Sequence, residues 1–294
     1  WSAVRSDSLL AREDNPRAIE AERRVQRGRI LDRNDFVLAE TVGAIDSRSR
    51  IYSLPESGPA VGYYSLRFGR AGIEDTYDAH LRGQNQNFWS DAMRRLIHEP
   101  RVGTDIRLTL DAALQKQATD SMIAANVTGG LVLLELTEIG GEPVAEIRAM
   151  VSQPAYDPNL IDAEFEQLAA GQPGPLVNRA TQAQYQPGLV TQPLITAAAL
   201  DSGLISLDAT LEEPFLPVTI DGQVLRCAQP RVEGDASLYT WAEMAKLRCP
   251  APLQALGDKI GTPTLEEIFR RFGLDQAPDL PLPAAVNGAP IRNP

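Results

Sequence analysis

The sequence predicts an α+β protein of two domains. Its 294 residues are enough for about two domains, each with a core of its own. Two short strands are predicted within residues 27–39, joined by an Asn34-Asp35 turn. A longer hairpin is predicted at residues 130–151, with Gly140-Gly141 as its turn, and helices are predicted at 111–125 and 192–202. Such a pattern favours mainly antiparallel sheets packed by helices.

The composition is ordinary for a globular protein, with 43% hydrophobic and 23% charged residues. A net charge of −11 argues against a nucleic-acid partner and against a polybasic membrane-binding patch. No run approaches the roughly 18 apolar residues that span a bilayer. Because Trp1 stands in place of an initiating methionine, we expect an excised fragment whose membrane anchor lies upstream of residue 1.

The cysteines and histidines limit the metal and redox chemistry. Cys227 and Cys249 could form a disulfide in an oxidising compartment, or they could be two unrelated buried thiols. The histidines are His80 and His98, and the chain has no Cys-x-x-Cys pair. We therefore expect no metal site and no cofactor.

The first part of the chain is predicted to alternate short helices and strands. Residues 3–24 predict a helix interrupted near Pro16, and residues 90–98 predict another that ends at Pro100. Glu74 and Arg82 could be an acid/base pair. A structural ion pair or a hydrogen-bonded anchor is the better interpretation, because no nucleophile lies nearby in the sequence.

The second part begins after a predicted boundary at residues 100–103. Ile106, Leu108 and Leu110 alternate as a strand, and Asp111 is expected to cap the following helix. The run 130–136 is almost continuously apolar, which is typical of a sheet covered on both faces. Further helices are predicted over residues 238–246, from Pro250 to Ile260, and over residues 264–272. A proline-rich segment follows at 276–294.

Ordered motifs along the chain carry a resemblance to a known family. The matching residues are Arg27, Gly28, Asp32 and Arg33; Gly72, Glu74, Arg82 and Gly83; Asp157 and Asn159; and Arg179, Pro187 and Gly188. In this order they resemble the class B penicillin-binding proteins, and the run 63–67 is most similar to the elongation-type subgroup. The resemblance implies an N-terminal pedestal or dimerisation domain at 1–102. A truncated transpeptidase-like domain would follow at 103–294.

The reactive groups of that family are missing. Its first motif reads tyrosine, any residue, proline, glycine, serine, two residues, lysine; here Leu189 takes the place of the serine and Gln192 that of the lysine. Its serine-x-asparagine motif falls on Arg248 and Pro250. No lysine follows a serine or threonine by three residues, so the pair has not shifted elsewhere. Thr191 is expected to cap the helix that follows it.

Two further features of the family bear on the C-terminal half. The family has a cysteine pair at the places of Cys227 and Cys249, so the resemblance implies a disulfide between them. It also has a Lys-Thr-Gly strand. Lys259-Ile260-Gly261 is only superficially similar and is interpreted as the end of a helix. The last strands and helix of a transpeptidase domain are therefore expected to be absent from this chain.

Three functional hypotheses follow. The preferred one is a non-catalytic scaffold or regulator of peptidoglycan synthesis, acting on the extracytoplasmic face of the cytoplasmic membrane. Its expected partner is a membrane cell-wall polymerase or another divisome or elongasome protein, with a homodimer as an alternative. The second hypothesis is an active D,D-transpeptidase that binds penicillin, for which this chain lacks the groups. The third is a module that binds stem peptides without reacting.

Overall fold

The structure is a computed structural model that describes residues 20, 22–45, 47–84, 101–185, 191–220, 222–228 and 239–284. The chain divides into two compact units. One comprises residues 1–183 with 280–284, and the other comprises 184–279 with 285–294. The helices predicted at 3–24 and 90–98 lie almost entirely outside the described residues. Within the described ranges, no helix is long and apolar enough to cross a membrane.

The first unit begins with a four-stranded sheet. Its strands are β1 (Ile30–Leu31), β2 (Val37–Val42), β3 (Ser49–Tyr52) and β6 (Ile106–Arg107), in the order β3-β2-β1-β6. The predicted turn between β1 and β2 is confirmed, since Asp35 has a φ of 68°. Strand β6 is shorter than the alternation predicted, and it pairs in parallel with β1. The predicted domain boundary at 102/103 therefore lies just before a strand of the N-terminal sheet, and it stays a prediction.

The motif residues at the start of this sheet have structural roles. A Cβ at Gly28 would lie 2.0 Å from the carbonyl oxygen of Thr104, so only glycine allows this approach. The buried carboxylate of Asp32 accepts hydrogen bonds from the backbone N–H groups of Asn34 (2.7 Å), Phe36 (2.8 Å) and Ala112 (3.1 Å). Asp32 thereby ties the β1–β2 turn to the start of a helix 80 residues away.

The segment after β3 folds back against the sheet. It contains helices α1 (Gly58–Val61), α2 (Ile73–Thr76) and α3 (Asp78–Leu81), and the strand pair β4 (Tyr63–Ser65) and β5 (Gly69–Ala71). Gly72 has a φ of 63° and precedes α2, and Gly83 has a φ of 67° and follows α3. Apolar side chains from the sheet, α1, α2 and α3 form one core, including Ile30, Leu38, Val61, Ile73 and Leu81.

Glu74 is the buried centre of an ion-pair network. Its side chain is 0% exposed and lies 2.8 Å from Nη2 of Arg27 and 2.6 Å from Nε of Arg50. The Tyr52 hydroxyl lies 3.3 Å from the same carboxylate, and burial raises the pKa of this phenol well above its ordinary value. Glu74 is therefore part of a structural ion pair, as predicted, but its partners are Arg27 and Arg50.

Arg82, predicted as the partner of Glu74, belongs to a neighbouring set of charges. Its guanidinium lies 2.5 Å from a carboxylate oxygen of Glu22 and 3.5 Å from one of Asp78. Asp78 also contacts Arg27 at 2.6 Å. Burial lowers the pKa of Arg27, but the nearby charges of Glu74 and Asp78 raise it by more, so this pKa lies above its ordinary value. The prediction of a Glu74–Arg82 pair was wrong because α2 directs Glu74 toward the sheet.

The first unit also contains a long helix and a long β-hairpin. Helix α4 (Ala112–Ala124) is capped as predicted by Asp111, which accepts from the N–H groups of Ala113 and Leu114. Strands β7 (Gly129–Ile139) and β8 (Glu142–Gln153) are antiparallel, and both Gly140 and Gly141 have positive φ, as the predicted turn requires.

The prediction of a sheet covered on both faces was wrong for β7. In the described part of the chain its sheet has only two strands, and Leu136 is 82% exposed. Val132, Leu133 and Leu134 are also exposed. By contrast, Ala149, Met150 and Val151 of β8 are almost completely buried, because α1 and α4 pack against that strand. The apolar run predicted the strand, but a sequence cannot say what lies against it.

Three further motif residues join distant segments of the first unit. The side chain of Asn159 accepts from the N–H of Tyr52 at 2.9 Å and donates to its carbonyl at 3.0 Å. Asp157 accepts from the N–H of Asn159 at the start of a short 3-10 turn that precedes helix α5 (Ile161–Ala170). The Arg179 N–H donates to the hydroxyl of Ser152, and its guanidinium donates to the carbonyl of Gly174.

The second unit is mainly helical. Its elements are α6 (Gln192–Asp201), β9 (Val218–Ile220), β10 (Gln223–Leu225), α7 (Trp241–Leu247), α8 (Pro250–Ile260) and α9 (Thr262–Arg271). Its core contains Ala199, Trp241, Leu256 and Ile260. Cys227 and Cys249 form a disulfide, as the resemblance implied, and Cys249 is completely buried. Gly261, with a φ of 76°, ends α8, which confirms that Lys259-Ile260-Gly261 is a helix terminus.

We expect Glu74→Gln to destabilise the first unit by about 3–5 kcal/mol, because it leaves the guanidinium of Arg50 buried without its anion and removes one of the anions that pair with Arg27. The free energy of unfolding in urea measures this loss. The matched control is Asp120→Asn, which removes an exposed ion pair with Lys116 and should cost much less, because solvent screens such a pair. Equal losses in the two variants would contradict a network that depends on burial.

We expect removal of the disulfide by Cys227→Ser with Cys249→Ser to lower the stability of the second unit by about 3 kcal/mol. The bond links two residues 22 positions apart in the sequence. Without it the unfolded chain has more conformational entropy, so folding loses more entropy. Thermal unfolding with and without reductant gives the measurement. The double variant should no longer respond to reductant; an unchanged melting temperature in both experiments would contradict the expectation.

Candidate functional site

A cleft of about 520 Å³ lies in the second unit, between α6 and the end of α7. The described residues that line it are Gln192, Pro193, Thr196, Ala197 and Leu200 from α6, with Ala245 and Arg248. Gln192 is predicted to take the place of the family's lysine and Arg248 that of a serine, and the two are far apart in the sequence. The structure brings these two residues to one cavity.

Gln192 is the first residue of α6 and is buried in the wall of the cleft. Pro193 follows it, a position where proline suits a helix because the N–H would have no helical acceptor. Thr191 occupies the N-cap position, but its side chain makes no capping hydrogen bond. The prediction of a capping threonine was therefore wrong. A capping side chain usually belongs to a residue with an extended backbone, but the backbone of Thr191 is αR.

Arg248 lies in the left-handed region directly after α7, with φ 52° and ψ 56°. Helix α7 itself starts at a capping box formed by Thr240 and Glu243. The carbonyl of Arg248 accepts from the N–H of Ala228 at 3.3 Å, and the next residue, Cys249, is bonded to Cys227. These contacts hold the backbone of Arg248 while its exposed side chain lines the cleft.

Thr196 is a cleft residue that the sequence analysis missed. It lies four residues after Gln192, so both share one face of α6. Its side chain is 7% exposed, and its hydroxyl has no hydrogen-bond partner within the described residues. A hydroxyl inside an otherwise apolar helix, one turn after the predicted site residue, was the signal that could have identified it.

The described lining of the cleft offers one hydroxyl, that of Thr196, and no base. Its described lining contains no lysine, histidine, acid, serine or cysteine, and neither the Gln192 amide nor the Arg248 guanidinium accepts a proton near neutral pH. Across the described ranges, no lysine amine contacts a serine hydroxyl, and Lys116 pairs with Asp120. Nor do the described residues include a cluster of metal-binding side chains. The lining can bind an anion and donate hydrogen bonds.

The remaining predicted site residues fall in three places. Pro187, Gly188 and Leu189 lie outside the described residues. Pro250 begins α8 and does not line the cleft. The motif residues Arg27, Gly28, Asp32, Arg33, Gly72, Glu74, Arg82, Gly83, Asp157, Asn159 and Arg179 all belong to the first unit, where they form the contacts described above; Arg33 pairs with Glu135 at 3.6 Å on the surface.

Comparisons with known proteins identify the family. The penicillin binding protein A dimerisation domain matches residues 27–106, and the penicillin binding protein transpeptidase domain matches residues 144–293. Peptidoglycan D,D-transpeptidase PbpA of Mycobacterium tuberculosis is 29% identical over 96% of this chain and 59% of its own length. MrdA, a peptidoglycan D,D-transpeptidase of Escherichia coli, is 34% identical over 50% of this chain and 24% of its own length.

Solved structures agree with these sequence matches. An imipenem acyl-enzyme complex of penicillin-binding protein A from M. tuberculosis has 27% identity and a TM-score of 0.75, covering 90% of this chain and 63% of that one. A D,D-transpeptidase domain from Eggerthella lenta has 26% identity and a TM-score of 0.71, covering 90% and 57%. This chain thus spans about three fifths of the length of its curated M. tuberculosis relative. The chain belongs to the penicillin-binding proteins, and its two matched domains and its relatives place it with the class B proteins of the elongation type.

Proposed function

We propose that this protein takes part in peptidoglycan biosynthesis as a non-catalytic scaffold or regulator. The observation that supports the proposal is the replacement of both reactive groups in the first transpeptidase motif, by Leu189 and Gln192. The Leu189 side chain has no atom that can attack a carbonyl, and the Gln192 amide cannot take a proton from a nucleophile. Loss of a nucleophile alone costs about a millionfold in kcat in a serine protease.

The second motif and the described lining of the cleft support the same proposal. Arg248 and Pro250 take the places of the serine and asparagine of the second motif. Thr196 offers a hydroxyl, but the described lining provides no base to activate it. A cleft with this lining can hold a ligand without forming a covalent bond to it.

The proposed location and partners rest on the relatives. We expect the protein to act on the extracytoplasmic face of the cytoplasmic membrane, through an anchor upstream of residue 1. The N-terminal module, matched by a dimerisation domain, is expected to contact a membrane cell-wall polymerase or another divisome or elongasome protein. Self-association is the alternative, and light scattering would reveal it as twice the 32.0 kDa chain mass.

A module that binds stem peptides without reacting is the second candidate. The polar lining of the cleft favours it, since Gln192, Thr196 and Arg248 all offer hydrogen-bond donors. An active D,D-transpeptidase remains the alternative that the following experiment would reveal.

We expect no covalent adduct when the purified chain is incubated with fluorescent penicillin and separated on a denaturing gel. The reason is the absence of a nucleophile at position 189. The positive control is the M. tuberculosis penicillin-binding protein A, whose structure is known as a penicillin G acyl-enzyme complex. Cooperative thermal unfolding of the test sample shows that it is folded.

A hydroxyl-linked adduct, mapped by peptide mass spectrometry, would overturn the non-catalytic proposal. The double variant Leu189→Ser with Gln192→Lys supplies a matched comparison, because it restores both groups of the motif in an otherwise unchanged chain. If the unmodified chain were also labelled, its own adduct would have to lie on a residue other than Leu189.

A further inference from the structure

A groove of about 850 Å³ runs along helix α4 in the first unit. One wall is the outer face of α4, where Ala113, Gln117, Asp120 and Ala124 follow one another at helical spacing. The other wall is the β1–β2 turn together with Leu54. The opposite face of α4 is buried in the first unit, so the helix is fixed while its outer face stays open.

The lining of this groove is mostly apolar. The side chain of Phe36 is 45% exposed, although Asp32 holds its backbone N–H through a hydrogen bond of 2.8 Å. Leu54 lies beside it and is buried. Across the groove, Ala113 and Ala124 are exposed and carry only a methyl group. An exposed aromatic ring that faces small residues leaves apolar surface and space for the side chains of a partner.

The groove also has more acids than cations. Lys116 is the one cation of its described lining, and it already lies 2.9 Å from Asp120 and 3.8 Å from Glu56. Among the described residues, no ammonium or guanidinium group lies within ion-pair distance of Asp111, which accepts hydrogen bonds instead. The hydrogen bond from the N–H of Leu114 lowers the pKa of Asp111, so this carboxyl is ionised at neutral pH.

The C-terminal end of α4 adds a further negative potential. The last turn of α4 contains no basic residue, although its carbonyl groups form the negative end of the helix dipole. Helix α9, by contrast, has Arg270 and Arg271 in its last turn. Asp120 lies one turn before Ala124, so the helix end and a carboxylate act in the same direction. A basic residue of a partner is therefore favoured at this end of the groove.

The length and the walls of the groove favour a helix over an extended peptide. Eleven residues separate Ala113 from Ala124, which corresponds to about 17 Å, or three helical turns. An extended peptide needs partners for its own backbone groups, but the backbone groups within α4 bond one another. A helix satisfies its own backbone, and small residues at the contact let two helices approach closely.

We propose that this groove binds an amphipathic helix of a partner protein. Its apolar face would lie against Phe36 and the alanines of α4, with a lysine or arginine beside Asp120. Such helices insert apolar side chains spaced three and four residues apart, and the acids of the groove select a basic partner. The inference goes beyond the proposed function, and it does not depend on whether the chain reacts with penicillin.

The test measures fluorescence anisotropy of three labelled model peptides of about twelve residues, the length of three helical turns. The first has leucines at helical spacing and lysines elsewhere, the second has glutamates in place of the lysines, and the third is a scrambled form of the first. We expect the first to bind the full chain at physiological salt and the second not to bind. The scrambled peptide has the charge without an apolar face. It should bind more than about tenfold more weakly, because burial of one leucine contributes that much.

A double variant locates the binding in the groove. Ala113→Gln with Ala124→Gln fills the space with neutral side chains that a helix tolerates, and it should weaken binding by about tenfold or more. The matched control makes the same change at Ala163 and Ala169, two exposed alanines of α5 in the same unit, and should leave binding unchanged. Unfolding curves for both variants separate loss of binding from loss of fold.

A second pair of variants tests the basic end of the partner. Asp120→Asn should weaken binding of the first peptide about two- to fivefold, the usual effect of an exposed ion pair. Glu166→Gln removes an exposed, ion-paired acid of α5 and should have no effect. Equal effects of these two changes would overturn the placement of a basic residue beside Asp120.

Three results would overturn the groove as a helix site. They are equal binding of the first and the scrambled peptide, binding of the acidic peptide, and binding that survives Ala113→Gln with Ala124→Gln. Sedimentation of the chain alone tests a different occupant. A dimer that the same double variant dissociates would show that a second copy covers the groove, and it would overturn the proposal of a separate partner.

Discussion

A buried carboxylate held by two guanidinium groups is the constraint on which the first unit depends. Glu74 has no exposed surface, so its charge requires Arg27 and Arg50 to lie against it. Arg27 immediately precedes the close approach of Gly28 to Thr104, Arg50 lies in β3, and Glu74 lies in α2. Three segments far apart in the sequence must therefore meet at one point.

Side chains of two other motif residues extend this connection along the chain. Asp32 reaches the start of α4, and Asn159 bonds both backbone groups of Tyr52. Asn178, the residue before Arg179, donates to the carbonyl of Pro59 across 119 residues. Each of these groups satisfies backbone atoms that would otherwise be buried without partners. Such residues are needed for folding whether or not the protein catalyses a reaction. These structural roles do not depend on the groups that line the cleft of the second unit.

The described lining of the cleft in the second unit combines hydrogen-bond donors with apolar side chains. Gln192 and Arg248 lie where a lysine and a serine are expected, and they line one cavity together with Thr196. The disulfide at Cys249 fixes the backbone next to Arg248. The described lining therefore offers hydrogen-bond donors, but no base that could activate the hydroxyl of Thr196.

Local chemistry in the sequence determined much of the fold. Asp111 caps α4, Gly140-Gly141 turns the hairpin, Asp35 takes a positive φ and Gly261 ends α8, because each depends on a few adjacent residues. The motif order identified the family and the cysteine pair. The tertiary structure alone decided that Glu74 pairs with Arg27 and Arg50 rather than Arg82, that Leu136 of β7 is exposed, and that Thr196 joins the cleft. Burial and ion pairing depend on which distant segments come into contact. The periodicity of one stretch of sequence does not determine those contacts.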